Sequence, residues 1–173
     1  WSVVTRKLGL PVPISMQRKF LLERKPDFRK SVLKNSVRVD IEQIYLLSND
    51  DHERRIRKRT QGDHTAYYKA TSKRISPIVW QRREESISFD DYSELLDEKD
   101  PTSDVIQKAR YCFVYNNQYF EIDVFKKPAA RCILEVNLTE ENDVIQIPDF
   151  LKVEREVTED SGFTNFGIST RRP

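Results

Sequence analysis

The strongest constraint on the fold is a two-residue alternation of charged and apolar side chains that recurs in most of the predicted strands. In residues 118–126, for example, Glu121 and Asp123 alternate with Phe120 and Ile122. Side chains on a β-strand point alternately to opposite faces, so such a segment has one charged face and one apolar face. For a single strand this pattern is typical of a half-buried sheet with its charged face in water. Its recurrence in six or more strands favours a sheet closed into a barrel whose charged faces line a water-filled tunnel.

Turn and capping residues divide the chain into its predicted elements. Gln61-Gly62-Asp63 and Asn116-Asn117 are typical of hairpin turns, and Ser88 is a favourable N-cap. Strands are predicted at residues 12–24, 36–47, 53–60, 65–73, 79–87, 106–115, 118–126, 131–139 and 152–158. Short helical segments are predicted at 89–97 and 148–151, and residues 27–34 could form a short helix or a linking turn. We therefore expect an α+β fold, an antiparallel eight-stranded β-barrel with a few short peripheral helices. It forms a single domain over residues 1–173 and ends in a loose tail at 167–173.

The proposed tunnel lining is strongly basic, although the formal net charge of the whole chain is only +2. The lining comprises the cations Lys19, Arg55, Arg57, Arg59, Lys69, Arg82, Lys108 and Arg110 and the anions Glu84, Glu121, Asp123 and Glu135. Cations crowded into a confined space repel one another unless a polyanion neutralises them, and the planar guanidinium matches phosphate oxygens. We therefore predict that seven of these side chains bind a short, densely phosphorylated small molecule: Lys19, Arg55, Arg57, Lys69, Arg82, Lys108 and Arg110.

Several other classes of protein are disfavoured by the sequence. No apolar run approaches the roughly 20 residues of a membrane-spanning helix. A closed bore does not suit duplex nucleic acid, which needs an open basic surface, so we expect no specific nucleic-acid partner. Cys112 and Cys132 are too few for a disulfide framework, and neither His52 nor His64 has a partner at the spacing of zinc ligands.

Several segments, in order and spacing, resemble the CYTH superfamily, the triphosphate tunnel metalloenzymes. They are Gln17–Leu22, Gln43–Leu46, Arg55–Arg57, Tyr67–Lys69, Lys108–Tyr111, Phe120–Phe125, Leu134–Val136, Pro148–Leu151, Arg155–Thr158 and Asn165. The resemblance covers most of residues 14–166 and implies an antiparallel eight-stranded tunnel in which carboxylates hold Mg²⁺ or Mn²⁺ against a triphosphate. It makes Glu84, Glu121, Asp123 and Glu135 the candidate metal ligands.

The chain departs from the family in the motif whose carboxylates help to hold the metal ion. Where the family has E-x-E-x-K on the first strand, this chain has Ser15, Gln17 and Lys19, and a second acidic pair is reduced to Glu135 and Asn137. Mg²⁺ and Mn²⁺ prefer carboxylate oxygens, whereas serine and glutamine offer only neutral ones. We therefore expect binding that requires no metal, and a catalytically degenerate domain.

The family's R-x-E-x-E strand permits two registers in this sequence. One places Arg82, Glu84 and Ser86 on the lining, with one carboxylate lost. The other lies one residue later and places Arg83 and Glu85 there instead. The sequence leaves both registers open.

A narrower resemblance is to the C-terminal CYTH-like domain of the TRPL translocation-defect protein family. Those proteins also carry an N-terminal P-loop domain that binds GTP, and no G-x-x-x-x-G-K-[ST] motif occurs in this chain. The resemblance implies that this chain is the C-terminal part of a longer protein linked to membrane trafficking and phospholipid association. It also implies a cytoplasmic location, with peripheral association with membranes.

Three functions fit these observations. The first is a phosphate-binding module for a phosphoinositide head group, a nucleotide or inorganic polyphosphate. The alternative is a divalent-metal-dependent triphosphatase that hydrolyses tripolyphosphate or a nucleoside triphosphate, and the third is a structural domain whose charged strands pair internally. We favour binding, because metal-assisted hydrolysis needs the carboxylates that this chain lacks, and we assign no catalytic residue.

Overall fold

Nine strands form one continuous antiparallel sheet in the computed structural model, which describes residues 14–170. The strands are β1 (Ile14–Leu22), β2 (Val37–Leu46), β3 (Glu53–Gln61), β4 (His64–Arg74), β5 (Val79–Ile87), β6 (Ile106–Tyr115), β7 (Gln118–Lys127), β8 (Arg131–Leu138) and β9 (Val153–Glu156). The helices are α1 (Phe89–Leu95) and α2 (Asn165–Thr170), with 3₁₀ turns at Ser31–Asn35, Leu96–Glu98 and Ser161–Phe163. The predicted segment at 27–34 is thus a turn followed by a 3₁₀ turn.

The sheet closes on itself, as the alternation predicted. Its strand order is β5-β4-β3-β2-β6-β7-β8-β1-β9, and β1 also pairs with β5. The closing contact is short: Ile14, Ser15 and Met16 lie opposite Gln81, Trp80 and Val79. Beyond it, β9 pairs with the second half of β1. The predicted eight-stranded antiparallel barrel is therefore confirmed, with β9 as an additional strand.

Short turns with left-handed residues set the register of the two hairpins that carry much of the lining. Asn116 and Asn117 have φ angles of 47° and 59° and join β6 to β7, as their sequence predicted. This turn places Arg110 directly opposite Asp123. Gly62, with φ of 57°, lies in the turn between β3 and β4, where glycine carries little steric cost.

The β3–β4 turn is one residue shorter than predicted, and this changes one lining residue. A three-residue turn would keep Lys69 on the same face as Arg57. In the structure Gln61 pairs with His64, so only two residues form the turn, and Tyr68 lies opposite Arg57. Because a one-residue change of register moves every side chain to the other face, Lys69 points outward. The prediction that Lys69 lines the barrel is wrong.

The outer face of the barrel is apolar and is covered by the peripheral segments. One buried cluster includes Phe20, Leu33, Phe120, Ile122, Leu134, Val136 and Leu151, and another includes Ile44, Leu46, Ile56 and Tyr92 of α1. Ser88 caps α1 as predicted, in a reciprocal capping box with Asp91. Burial of these outer faces leaves the charged faces of the strands directed inward.

A third apolar cluster lies inside one end of the barrel and includes the C-terminal segment. Tyr45, Ile106, Phe125 and Ile133 from the strands pack with Val157, Phe163 and Ile168. Residues 167–170 were predicted to belong to a loose tail, but they form part of α2, where Ile168 is 1% exposed. Residues 171–173 of that prediction lie outside the described residues. Within residues 14–170, no helix has the length and apolar character needed to cross a membrane.

Candidate functional site

The inner face of the barrel gathers most of the side chains that the sequence singled out. Six of the seven predicted cations and all four predicted carboxylates share this face: Lys19, Arg55, Arg57, Arg82, Lys108, Arg110, Glu84, Glu121, Asp123 and Glu135. Glu84 pairs with Ala70, so the register with Arg82 and Glu84 inside is the correct one of the two. Lys69 instead forms an exposed ion pair of 2.7 Å with Glu85 on the outer surface.

Arg110 lies between three carboxylates of β7 and β8. Its Nε is 2.7 Å from Asp123 Oδ1, its Nη1 is 2.7 Å from Glu121 Oε2, and its Nη2 is 3.3 Å from Glu135 Oε2. Burial disfavours the charge of Arg110, but the three carboxylates together hold its pKa well above the usual value. A side chain of the protein therefore already supplies positive charge to this acidic group.

Two lysines complete the ion-pair network on this side of the barrel. Lys108 Nζ donates to Asp123 Oδ2 at 2.6 Å and to Asn165 Oδ1 at 3.2 Å, and Lys19 Nζ lies 3.1 Å from Glu135 Oε1. Burial lowers the pKa of Lys108, although the negative charge of Asp123 acts to raise it. Three cations and three carboxylates thus balance one another here. We name this group, Lys19, Lys108, Arg110, Glu121, Asp123 and Glu135, the balanced wall.

The opposite side of the interior, on β3 and β5, is different because its cations outnumber its carboxylates. We name Arg55, Arg57 and Arg82 the basic wall. Arg57 Nε donates to Gln43 Oε1 at 2.6 Å, and Arg55 Nη1 donates to Ser72 Oγ at 2.9 Å; both acceptors are neutral. The Nε atoms of Arg55 and Arg82 are buried without any hydrogen-bond partner in the described structure.

The electrostatic consequence is visible in the pKa values of the basic wall. Burial, with repulsion from Arg55 and Arg110, holds the pKa of Arg57 well below its usual value. Burial and the neighbouring Arg55 also lower the pKa of Arg82 to about 10. Both shifts mean that the folded protein holds these positive charges at a cost, which a bound anion would relieve.

Glu84 lies apart from the other three predicted metal ligands. Its Oε1 is 2.9 Å from Arg59 Nη2 and its Oε2 is 3.5 Å from Arg57 Nη1, and its side chain is 28% exposed. Glu84 therefore belongs with the basic residues of β3, near the rim of the barrel. The four predicted metal ligands do not form one group.

The arrangement as it stands does not fit a divalent metal ion. Both oxygens of Asp123 and of Glu135, and one oxygen of Glu121, lie within ion-pair distance of protein cations, and Ser15 and Gln17 add only neutral oxygens. Across the described part of the chain, the three-residue group whose ligand atoms lie within 4.8 Å of one another is Asp50, Asp51 and His52, in an exposed loop.

Within residues 14–170, several inward residues were not assigned to the site from the sequence, among them Gln43, Tyr45, Glu53 and Trp80. Gln43 is fully buried, binds Arg57 and donates to Tyr45 Oη at 2.8 Å, and both belong to the Q-x-Y-L element. A polar residue inside an apolar strand was the available signal. Trp80 faces inward opposite Ser15, and its ring centroid is 4.9 Å from the Arg82 guanidinium carbon. Its inward position depends on the barrel closure, which gives no local sequence signal.

The inward side chains fill much of the interior that was predicted to hold water. The side chains of Lys108 and Asp123 have no exposed surface, and Arg57 retains 7%. An eight-stranded barrel is just wide enough for its own side chains to fill. Any guest in the interior would have to take over contacts that these side chains make with one another.

No protein-family model matches the sequence, and neither does any curated protein sequence. Solved structures do match. Two crystal structures of NE1496, one described as a hypothetical protein and the other as an inorganic triphosphatase, are 25% and 26% identical to this chain, with TM-scores of 0.60 and 0.58. Each covers 92% of this chain, and the matches span 99% and 96% of NE1496.

More distant structures share the fold. PH1819 from Pyrococcus horikoshii OT3 is 20% identical over 75% of this chain and 80% of that protein, with a TM-score of 0.57. HpAC1 from Hippeastrum, a putative adenylyl cyclase described as having a dominant triphosphatase activity, is 12% identical over 73% of this chain and 80% of that protein, with a TM-score of 0.50. These neighbours share the barrel fold of this chain, which agrees with the fold that the sequence resemblance implied.

Proposed function

We propose that this domain binds a short linear polyphosphate group inside its barrel and does so without a divalent metal. The basic wall is the observation that carries the proposal. Arg55 and Arg57 are buried and Arg82 is half-buried, and the Nε donors of Arg55 and Arg82 have no acceptors in the described structure. Phosphate oxygens accept from such donors in charge-assisted hydrogen bonds, each contributing about 1.5–3 kcal/mol.

The ligand class follows from the size and shape of the interior. Closely spaced arginines match a ligand with several phosphates in a row, and the barrel is too narrow for a folded macromolecule. Tripolyphosphate, a nucleoside triphosphate and a phosphoinositide head group all present such phosphates. The likeness to the inorganic triphosphatase NE1496 favours the linear polyphosphates among them.

Independence from metal follows from the opening strand and from the balanced wall. Ser15 and Gln17 offer only neutral oxygens on the inner face of β1. Arg110 supplies positive charge where the remaining carboxylates would hold an ion. We infer that the domain is a degenerate relative of a metal-dependent enzyme, in which protein cations carry the binding.

Hydrolysis of the triphosphate is the second candidate function, and the likeness to NE1496 is the observation that favours it. Phosphoryl transfer in such a site depends on metal ions that bridge phosphate oxygens and position the attacking water. Phosphate release from tripolyphosphate in Mg²⁺ or Mn²⁺ tests it directly. Turnover of roughly 1–10³ per second, the ordinary enzyme range, would establish the enzyme and refute the degenerate assignment.

The deciding experiment is calorimetric titration of the chain with tripolyphosphate, once in chelator and once in Mg²⁺. We expect binding in both. Arg57→Ala should weaken it about tenfold or more, since 1.4 kcal/mol corresponds to tenfold in affinity. Lys69→Ala is the matched control, because it removes a cation from the adjacent strand but from the outer surface.

Two results would contradict the proposal. Binding that disappears in chelator would show that a metal, and not the basic wall, holds the anion. Equal losses in Arg57→Ala and Lys69→Ala would show that tripolyphosphate binds the surface through general charge.

A role in membrane trafficking is the finer form of this proposal, and it rests only on the resemblance to the TRPL translocation-defect family. It predicts that inositol phosphates compete with tripolyphosphate for the basic wall. It also predicts that vesicles containing phosphoinositides sediment the domain, whereas vesicles of neutral lipid do not. Competition without sedimentation would assign the site to free phosphates and not to a membrane.

A further inference from the structure

The C-terminal segment closes one end of the barrel. Phe163 and Ile168 pack inside the cluster formed by the inward residues of β2, β6, β7 and β8, and Phe166 meets the ring of Tyr45 edge-on at 5.1 Å. Ile168 is 1% exposed. We name residues 157–170 the plug, because the segment fills the end of the barrel with apolar side chains.

The plug also meets the polar interior and forms its floor. Asn165 at the start of α2 accepts a hydrogen bond from Lys108, whose Nζ also lies 5.0 Å from the ring centroid of Phe125 in the apolar cluster. At a second contact, Arg74 Nη2 donates to the carbonyl oxygen of Thr158 at 2.7 Å. The ion-pair network and the plug are therefore continuous, and no open bore separates them within residues 14–170.

Exposure falls steadily from the opposite end toward this floor. The side chains of Arg59 and Glu84 are 30% and 28% exposed, Arg110 is 13% exposed, and Lys108 and Asp123 have no exposed surface. Such a gradient describes a pocket with one mouth, near Arg59 and Glu84. From Arg59 to Arg55 the strand advances about 13 Å, at about 3.3 Å per residue, which sets the scale of the pocket's depth.

A close backbone approach fixes the plug. A side chain at Gly167 would collide with the carbonyl oxygen of Ser161 and approach the Cα of Gly162 within 2.9 Å. Only glycine lets α2 pack this tightly against the preceding 3₁₀ turn. Gly167 lies outside the phosphate-binding walls, so it offers a way to disturb the plug without altering them.

We propose that the pocket takes the terminus of a linear polyphosphate end-on and that the chain cannot be threaded through it. This inference rests on the proposed function, because it presumes that the basic wall binds phosphate. An end-on pocket accepts the terminal groups of tripolyphosphate, of a nucleoside triphosphate or of long-chain polyphosphate. It excludes interior segments of a polyphosphate chain, which could be held only by a bore open at both ends.

The test counts protein molecules on polyphosphates of increasing length. Analytical ultracentrifugation or light scattering with an excess of protein should give no more than two protein molecules per polyphosphate chain, one at each end, whatever the length. A number that grows in proportion to chain length would overturn the inference. Absence of binding to tripolyphosphate itself would instead overturn the proposed function, so the two failures are distinguishable.

Blocking the ends provides an independent test with the unaltered protein. Long-chain polyphosphate whose terminal phosphates carry bulky amines as phosphoramidates should not compete with tripolyphosphate in the calorimeter, while the uncapped chain should. Competition by both would show that interior phosphates reach the site, which contradicts an end-on pocket.

Gly167→Ala tests the plug itself, with Gly62→Ala as the control because a Cβ at Gly62 meets no atom within 4 Å. If Gly167→Ala folds, as judged by circular dichroism, more than two molecules should bind each long chain. A folded variant that keeps the limit of two would show that another feature closes the pocket. If the variant does not fold, the counts for the unaltered protein alone decide between a pocket closed at one end and a bore open at both ends.

Discussion

Arg110 binds Asp123 through two parallel hydrogen bonds, from Nε to Oδ1 at 2.7 Å and from Nη2 to Oδ2 at 2.8 Å. Asp123 has no exposed surface, and it also accepts from Lys108. The pair is thus enclosed in the barrel, where charges are poorly solvated and their attraction is strong. Burial opposes the charge of Asp123, but Arg110 and Lys108 lower its pKa below the usual value.

We predict that Asp123→Asn strongly destabilises the fold. Removing one partner of a buried ion pair leaves uncompensated charge, at a cost of about 3–5 kcal/mol. Urea denaturation at neutral pH measures the loss. The control is Glu85→Gln, which breaks the exposed pair with Lys69 and should cost about 0–1 kcal/mol. Equal effects of the two substitutions would contradict a tightly enclosed Arg110–Asp123 pair.

We predict the opposite sign of stability change for Arg82→Met. Burial and Arg55 lower the pKa of Arg82 to about 10. The charged Arg82 therefore destabilises the folded state below this pH, and the destabilisation is relieved as the pH rises through it. At neutral pH the substitution should raise the free energy of unfolding, by about 1–3 kcal/mol, and weaken tripolyphosphate binding. A loss of stability with unchanged affinity would show that Arg82 is structural.

A third prediction concerns Glu121, whose pKa is raised by burial despite the contact with Arg110. As the pH falls, this carboxylate protonates before an ordinary one does, and the barrel becomes more positive. Glu121→Gln should therefore bind tripolyphosphate more tightly than the parent above neutral pH, and the difference should shrink as the solution is acidified. Comparing the two proteins at each pH cancels the protonation of the ligand itself. If the ratio of the two affinities does not vary with pH, the raised pKa of Glu121 is refuted.

A fourth prediction tests whether catalysis was lost with the opening strand. Ser15 and Gln17 lie on the inner face of β1, and both have oxygens without hydrogen-bond partners in the described structure. Ser15→Glu combined with Gln17→Glu would add two carboxylates beside Lys19. Release of phosphate from tripolyphosphate in Mg²⁺ or Mn²⁺ should then exceed that of the parent.

The control for this gain is Ser15→Gln, which adds a side chain similar in size to Glu at position 15 without charge. No gain in the folded double variant would mean that Arg110 still neutralises the remaining carboxylates. Ser15→Glu and Gln17→Glu would then need to be combined with Arg110→Gln before metal binding could be expected.

The face of each strand was predictable where the turn before or after it was unambiguous. Asn116-Asn117 is a two-residue turn with a strong sequence signature, and Arg110 and Asp123 lie on the predicted face. The turn at Gly62 could hold two or three residues, and the choice decides whether Lys69 points inward. Strand periodicity alone cannot make that choice, because it fixes the spacing of side chains but not the register between strands.

The sequence by itself determined the strands and the inward direction of six of the seven proposed phosphate-binding cations, since alternation is a local property of each segment, and the recurrence of that alternation predicted a barrel. Only the tertiary structure decided how those charges divide between a balanced wall and a basic wall. Arg110 meets Glu135 across β7, and the plug reaches Tyr45 from more than a hundred residues away in sequence. Such contacts arise from the closure of the sheet and the burial of apolar surface, and no short segment of the chain encodes them.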